Sequence, residues 1–198
     1  MSNEAVVIVA AKLTPIGGFM GALSGASATE LGATAIKSVM SETGLTDASI
    51  DEVIMGCVLP AGLGQAPARQ AMLHAGLARP TGATTINKVC GSGLKAAMLA
   101  HDLIKAGSIS SAVAGGMESM TNSPYFIPKA RGGMRMGHGE IKDHMMADGL
   151  EDAYDNKAMG CFAQATADDY GITREEICLL YTSPSPRDRQ KSRMPSSA

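Results

Sequence analysis

The sequence has no tryptophan and only 4% aromatic residues, so large rings do not build its core. Its four cysteines, Cys57, Cys90, Cys161 and Cys178, are too few and too scattered for a disulfide scaffold. A reducing cytoplasm is therefore the expected setting. No apolar run approaches the ~20 residues that span a bilayer, which argues against a membrane. Residues 1–11 lack a basic leader region and the apolar stretch Ala5–Ala11 is short, so no signal peptide is expected. A formal net charge of −2 argues against a nucleic-acid partner. The hydrolase pattern G-x-S-x-G, the phosphate-loop pattern G-x-x-x-x-G-K-[ST] and the zinc pattern H-E-x-x-H are all missing. His74, His101, His138 and His144 form no i, i+4 pair, so no metal is expected. What is present is 45% hydrophobic and 18% charged residues over 198 positions, enough for a sizeable core and incompatible with disorder throughout. The 14 methionines read as core filler.

The composition breaks near the C-terminus. Tyr181–Ala198, YTSPSPRDRQKSRMPSSA, is rich in serine, proline and basic residues, with almost nothing to bury. Cys178–Asp188 resembles one reading frame of a transposase adapter used in preparing DNA libraries. Ser192–Ala198 resembles the same frame of the adapter's distal end, and Arg189–Lys191 fit the gap. The expectation is that natural sequence stops at Ile177 and that 178–198 is disordered read-through. Residues 1–177 hold 13 basic and 18 acidic side chains, so that part is mildly acidic.

Upstream, apolar runs alternate with helical patterns. Strands are expected at Val6–Ala11, Val53–Val58, Thr84–Val89 and Ser111–Gly115. Between them, a helix at Thr29–Glu42 carries Leu31, Ala35, Val39 and Met40 on one face and stops at Gly44. A short helix from Pro67 to Ala75 has proline in its first turn, and a third, Gly93–Ala106, places Leu94, Met98 and Ile104 roughly on one side. Gly56 inside a strand points to a close backbone approach. This β-α-β-α-β-α-β order implies an α/β fold with a largely parallel sheet. Residues 117–160 lose that periodicity and read as a functional loop or a small excursion domain. Cys161–Tyr170 is helical again, and Thr173 with Glu176 forms a capping box for a further helix.

Asn87–Leu94, NKVCGSGL, places a cysteine where a strand turns into a helix. Free N–H groups and the positive end of the helix dipole lie there, which favours the nucleophilic thiolate. Gly91 and Gly93 clear room for a substrate, and the N–H groups suit an oxyanion. An isolated cysteine is more often a packing residue. Gly91–Ala96 also fits the G-x-G-x-x-A fingerprint of dinucleotide folds, but no acidic residue follows ~20 positions on to hold a ribose. Lys88 and Lys95 flank the cysteine and would raise the local potential or lie on a solvated face. Lys129, Arg131, Arg135 and Lys142 would meet a polyanionic ligand, an acidic neighbouring subunit or nothing. His138 and His144 read as loop surface and His101 as a packed helix residue.

Several blocks together resemble the thiolase family, which comprises acetyl-CoA acetyltransferases and 3-ketoacyl-CoA thiolases. They are NKVCGSGLKA at 87–96, VLPAGLGQAPARQ at 58–70, GGMESMT at 115–121, RGGMRM at 131–136 and DGL at 148–150 followed by Ala158-Met159-Gly160. Order and spacing hold from about Ala5 to Ile177. The resemblance implies a thiolase-type N-terminal α/β core over 1–120 with a βαβαβαβ layer. It also implies a partial, irregular loop domain on the CoA side over 121–177. It makes Cys90 the nucleophile that forms an acyl-thioester intermediate, with its backbone N–H in the oxyanion hole. The implied reaction is acyl transfer from one CoA thioester to the α-carbon of acetyl-CoA, or thiolytic cleavage of a 3-ketoacyl-CoA such as acetoacetyl-CoA. Leu150 and Met159 match positions lining the pantetheine and acyl pocket. Coenzyme A thioesters are the implied substrates, with no permanently bound cofactor. A homodimer or homotetramer is implied for the full-length protein, with 84–89 pairing across the dimer and 125–144 near a tetramer contact or the CoA entrance. Three features depart from the family pattern. Ala158 replaces a frequent histidine, Leu13 replaces a frequent arginine, and the Gly-His-Pro histidine, the Cys-x-Gly cysteine and the water-orienting asparagine of the family's second half have no match. The chain alone is thus expected not to turn over. The alternatives are a non-catalytic acyl-CoA-binding or dimerising homologue, and a ketoacyl-synthase-type condensing enzyme using a carrier protein.

Overall fold

The computed structural model describes residues 5–182. They belong to two compact units, which divide between Ala153 and Tyr154. The expected boundary at residue 120 falls inside the first unit.

The first unit is built on a parallel sheet of β1 (Glu52–Gly56), β2 (Gly82–Ile86) and β3 (Ala112–Gly116), in the spatial order β2-β1-β3. Glu52 sits opposite Gly82 on one side and Ala112 on the other, so the three strands start level. Alternation along β1 divides the core in two. Val53 and Met55 join Ile36, Ala68, Ala71, Met72 and Val113 on one face. Ile54 joins Ala96 and Ala100 on the other. Helices α1 (Ala28–Thr43) and α2 (Pro67–His74) contribute to the first cluster, and α3 (Ser92–Lys105) to the second.

Each helix has a local cause. Ser27 caps α1: its Oγ accepts the Glu30 N–H at 3.3 Å, while Glu30 Oε2 accepts the Ser27 N–H at 2.8 Å. Gly44 ends α1 at φ 65, a left-handed conformation glycine takes without strain, and donates its N–H to the Met40 carbonyl. Pro67 opens α2, where a missing N–H is harmless.

Two helix faces differ from the sequence expectation. The buried stripe of α1 is Ala28, Thr29, Gly32, Ala33 and Ile36, rotated from Leu31, Ala35 and Val39. On α3 the buried residues are Ser92, Ala96 and Ala100, whereas Leu94 is 71% exposed and Met98 is also turned outward. The reason is distance. Where each helix presses closest to its neighbour, at Gly32 and at Ser92, small residues face inward, while Ile36 of α1 and Leu99 and Leu103 of α3 pack the core further along. A Cβ on Gly32 would meet the Met117 sulfur at 2.6 Å.

A third difference concerns Val6–Ala11, which does not form a strand. Val7, Ile8 and Val9 are 70%, 88% and 68% exposed. A strand apolar on both faces needs a ladder partner and two covering layers, and this segment has neither among the described residues. Among the described residues the sheet therefore has three strands rather than four.

The irregular region holds a two-stranded antiparallel pair, β4 (Tyr125–Phe126) with β5 (Lys142–Asp143), followed by a wide π-type turn at Met146–Leu150. The second unit contains α4 (Met159–Tyr170) and α5 (Arg174–Thr182). The expected capping box is formed: Glu176 Oε2 accepts the Thr173 N–H at 2.8 Å, and Thr173 Oγ1 accepts the Glu176 N–H at 3.2 Å. Helix α5 runs past Ile177 to Thr182, so the start of the adapter-like stretch is helical rather than disordered. The rest of that stretch, 183–198, lies outside the described residues.

The Ser27 N–H and hydroxyl hold the Glu30 carboxyl below the usual carboxylate range. A carboxyl so depressed stabilises the fold above its ordinary range, and the stabilisation is lost as pH falls through the lowered value. Ser27→Ala, which removes the hydroxyl but keeps the backbone N–H, should destabilise the fold by about 1 kcal/mol and flatten only part of its loss of stability on the acid side, read by thermal melts across an acid pH series.

Candidate active site

The site lies at the C-terminal end of the sheet, where β1, β2 and β3 deliver three loops to one edge. After β2 the chain turns sharply through Asn87–Gly91 into α3, whose N-cap is Gly91. Cys90 stands one residue ahead of that cap, with its side chain exposed. The residue before it, Val89, has φ +48, a conformation that costs a β-branched residue of order 1 kcal/mol or more. Local hydrogen bonds hold it there. Asn87 Oδ1 accepts the Val89 N–H at 2.8 Å, and the Val89 carbonyl accepts the Ser92 hydroxyl at 2.6 Å and the Ser92 N–H at 3.0 Å. Ser92 Oγ also accepts the Lys88 N–H at 2.8 Å. The N–H groups of Gly93 and Leu94 have no acceptor among the described residues.

Gly56 makes this turn possible. A Cβ on Gly56 would stand 2.5 Å from Ser92 Cβ and 2.9 Å from the Gly93 nitrogen. The close approach expected from the sequence is therefore present, and its partner is the first turn of α3.

Cys90 opens onto a cleft of about 200 Å³ lined by Val58, Leu59, Val89, Met120, Met145, Gly149 and Leu150, with Glu118 as its other titratable group. Glu118 is committed to the backbone: Oε2 accepts the Val58 N–H at 2.7 Å and Oε1 the Leu59 N–H at 3.0 Å. Oε1 also accepts the Cys57 thiol, with the sulfur 3.5 Å away. Burial, with Glu118 adding to it, pushes the Cys57 thiol up to about 12. Cys57 is thus an inert buried thiol, while Cys90 is the accessible one.

Of the residues named from sequence, Cys90 and Leu150 line one cleft. Met159 opens α4 in the second unit. Two histidine expectations are corrected. His144 is not loop surface: it is 6% exposed, its Nδ1–H faces Asp148 Oδ2 at 2.7 Å, and its Nε2 accepts the Ala61 N–H at 3.4 Å. His101 is not packed but exposed, with Asp102 Oδ1 3.1 Å from its Nδ1. No group of three or more His, Cys, Asp or Glu suited to a metal occurs among the described residues. Sequence reasoning assigned no role to Asn87, Ser92 or Glu118. Asn87 and Ser92 bracket the strained valine, and such short polar residues bond nearby backbone. Glu118 is a lone acid two residues after the end of an apolar strand.

A family model described as "Thiolase, N-terminal domain" matches residues 6–178. The chain belongs to the thiolase family. It is 52% identical over 171 residues to an acetyl-CoA acetyltransferase of Pseudomonas aeruginosa, covering 86% of this chain and 44% of that protein. It is 51% identical over 170 residues to an acetyl-CoA acetyltransferase of Escherichia coli, covering 85% of this chain and 43% of that protein. Against the acetyl-CoA acetyltransferase of Saccharomyces cerevisiae the identity is 49% over 176 residues, with coverage of 88% and 44%. The chain thus spans less than half the length of these thiolase relatives. The fold expected for a thiolase N-terminal domain, helices on a parallel sheet, is present.

Gly56→Ala should drive a methyl group into the first turn of α3. An overpacking penalty of about 1–3 kcal/mol should appear as a lowered melting temperature, and displacement of the turn as an altered alkylation rate at Cys90. In the unsubstituted chain at mildly alkaline pH, peptide mass mapping should find iodoacetamide on Cys90 and none on Cys57 until the fold is denatured.

Proposed function

We propose that Cys90 is the acyl-carrying nucleophile of an acetyl-CoA C-acyltransferase, and that this chain supplies the acyl-accepting half of its site. The observation that carries the reading is the placement of Cys90, an exposed thiol on a constrained turn ahead of α3, facing an apolar cleft. The names of the relatives support the same reaction class. In the first step the Cys90 thiolate attacks the carbonyl carbon of an acyl-CoA thioester. The tetrahedral oxyanion is held by main-chain N–H groups, that of Cys90 among them. The C–S bond to coenzyme A then breaks, CoA leaves as the thiolate and takes up a proton, and the acyl group stays on Cys90. One thioester replaces another, so the step is near balance. In the second step the acyl carbon bonds to the α-carbon of acetyl-CoA, which loses a proton, and Cys90 is released as thiolate. The reverse sequence cleaves a 3-ketoacyl-CoA, with acetoacetyl-CoA the proposed substrate.

Leu150 is proposed to contact the acyl or pantetheine portion from the cleft wall, and Met159 to contribute to CoA binding. Homodimeric or homotetrameric assembly is proposed for the full-length protein. A reducing cytoplasmic setting is proposed: no disulfide joins the cysteines among the described residues, and no helix there is long and apolar enough to cross a membrane.

The second step needs a base for the α-proton. Glu118, the one acidic group in the cleft, accepts two backbone N–H groups and a thiol, so it is poorly placed to take that proton. General acid–base help is worth ~10²–10⁴-fold, and the groups supplying it are proposed to lie in the part of the relatives this chain does not span. Incubation with acetyl-CoA or acetoacetyl-CoA should place one acyl group on Cys90, read by peptide mass spectrometry, and none in Cys90→Ser. The same chain should show no steady-state thiolysis of acetoacetyl-CoA. Acylation of the Cys90→Ser variant at another residue would overturn the assignment.

A further inference from the structure

We infer that His144 is a positioning residue for the acyl cleft. Resting on the reading of Cys90 as the acylated residue, it pins the Met145–Leu150 wall opposite that thiol. Four bonds converge on this ring and its turn. The His144 N–H donates to the Pro124 carbonyl at 3.1 Å, which fixes the backbone beside β4. The ring Nε2 accepts the Ala61 N–H at 3.4 Å, so Nδ1 carries the proton and donates it to Asp148 Oδ2 at 2.7 Å. Asp143 Oδ1 accepts the Met145 N–H at 2.8 Å. The ring therefore bridges two segments that each line the cleft. One is the loop after β1 that carries Val58 and Leu59, and the other is the turn that carries Met145, Gly149 and Leu150.

The wall between them is tight at one point: a Cβ on Gly149 would meet Leu59 Cδ2 at 3.3 Å. Met145 and Leu150, together with Glu118 and Met120, also line an adjoining cavity of about 540 Å³ bounded by residues 14–19, so the turn borders a second open space. A turn bordered by open space depends on its tethers for its position. His144 is the buried tether, with 7% of its side chain exposed against 57% for Asp148. Buried polar side chains whose bonds are all made hold one geometry, and a preformed apolar wall binds an apolar group with less ordering cost.

The test compares Cys90 labelling by N-hexylmaleimide and unsubstituted maleimide, each normalised to glutathione and read by peptide mass spectrometry. The original chain should favour the hexyl reagent. His144→Ala should lower that preference about fivefold through loss of apolar contact, with Cys57 still unlabelled as the sign of an intact fold. His144→Gln, whose amide oxygen can accept the Ala61 N–H, should restore most of it. If His144→Ala exposes Cys57, Asp148→Ala takes its place: it keeps the ring, removes the Nδ1 partner, and should lower the preference in the same direction. An unchanged preference in a folded His144→Ala or Asp148→Ala chain overturns the inference, as does a chain with no hexyl preference to lose. Failure of the acylation reading is separate, since it shows as a Cys90 that takes no acetyl group from acetyl-CoA.

Discussion

The contact between β1 and the first turn of α3 governs the site. At Gly56 the strand backbone comes so near Ser92 and Gly93 that no side chain fits between. That approach puts Ser92, Ala96 and Ala100 at the buried centre of the sheet face of α3, with Leu99 and Leu103 packing at its flank, and turns Leu94 and Met98 outward. It also fixes the height at which the chain leaves β2, and hence the strain at Val89 and the exposure of Cys90. Parallel strands end together at one edge, so a thiol raised there is surrounded by loops rather than by sheet.

A second constraint is the polar accounting at that edge. Strand ends leave N–H groups without ladder partners, and buried ones must be satisfied. Glu118 accepts Val58 and Leu59, Asn87 accepts Val89, Ser92 accepts Lys88, and His144 accepts Ala61. These side chains turn their polar atoms toward backbone, and the surface left around Cys90 is almost wholly apolar. The one other thiol nearby, Cys57, donates to Glu118 and is held protonated by burial. The edge thus separates an exposed sulfur from a buried, hydrogen-bonded one.

Much of this was legible in the sequence because it is local. The capping boxes at Ser27 and Thr173, the glycine stop at Gly44 and the proline start at Pro67 need only neighbours within one turn, and all are formed. Cys90 at a strand-to-helix junction is likewise a statement about ten consecutive residues. The face of α1 and of α3 was not legible, because hydrophobicity alone picks the larger residues and the close approaches at Gly32 and Ser92 admit only small ones there. Val6–Ala11 shows the same limit from the other side: its composition suits a buried strand, but a strand needs a partner and cover, which lie elsewhere in a chain.

The sequence by itself determined the alternation of helices and strands, the parallel sheet and the cysteine placed at a strand-to-helix turn, because each follows from patterns of a few residues. Only the tertiary structure decided that His144 is buried against Ala61 and Asp148, that Glu118 serves the backbone after β1, and that Leu150 shares a cleft with Cys90. Apart from the Asp148 pair, those contacts join residues dozens of positions apart. Which distant groups meet is set by the register of β1 against β2 and β3 and by the tight seat of α3 at Gly56, not by any local preference.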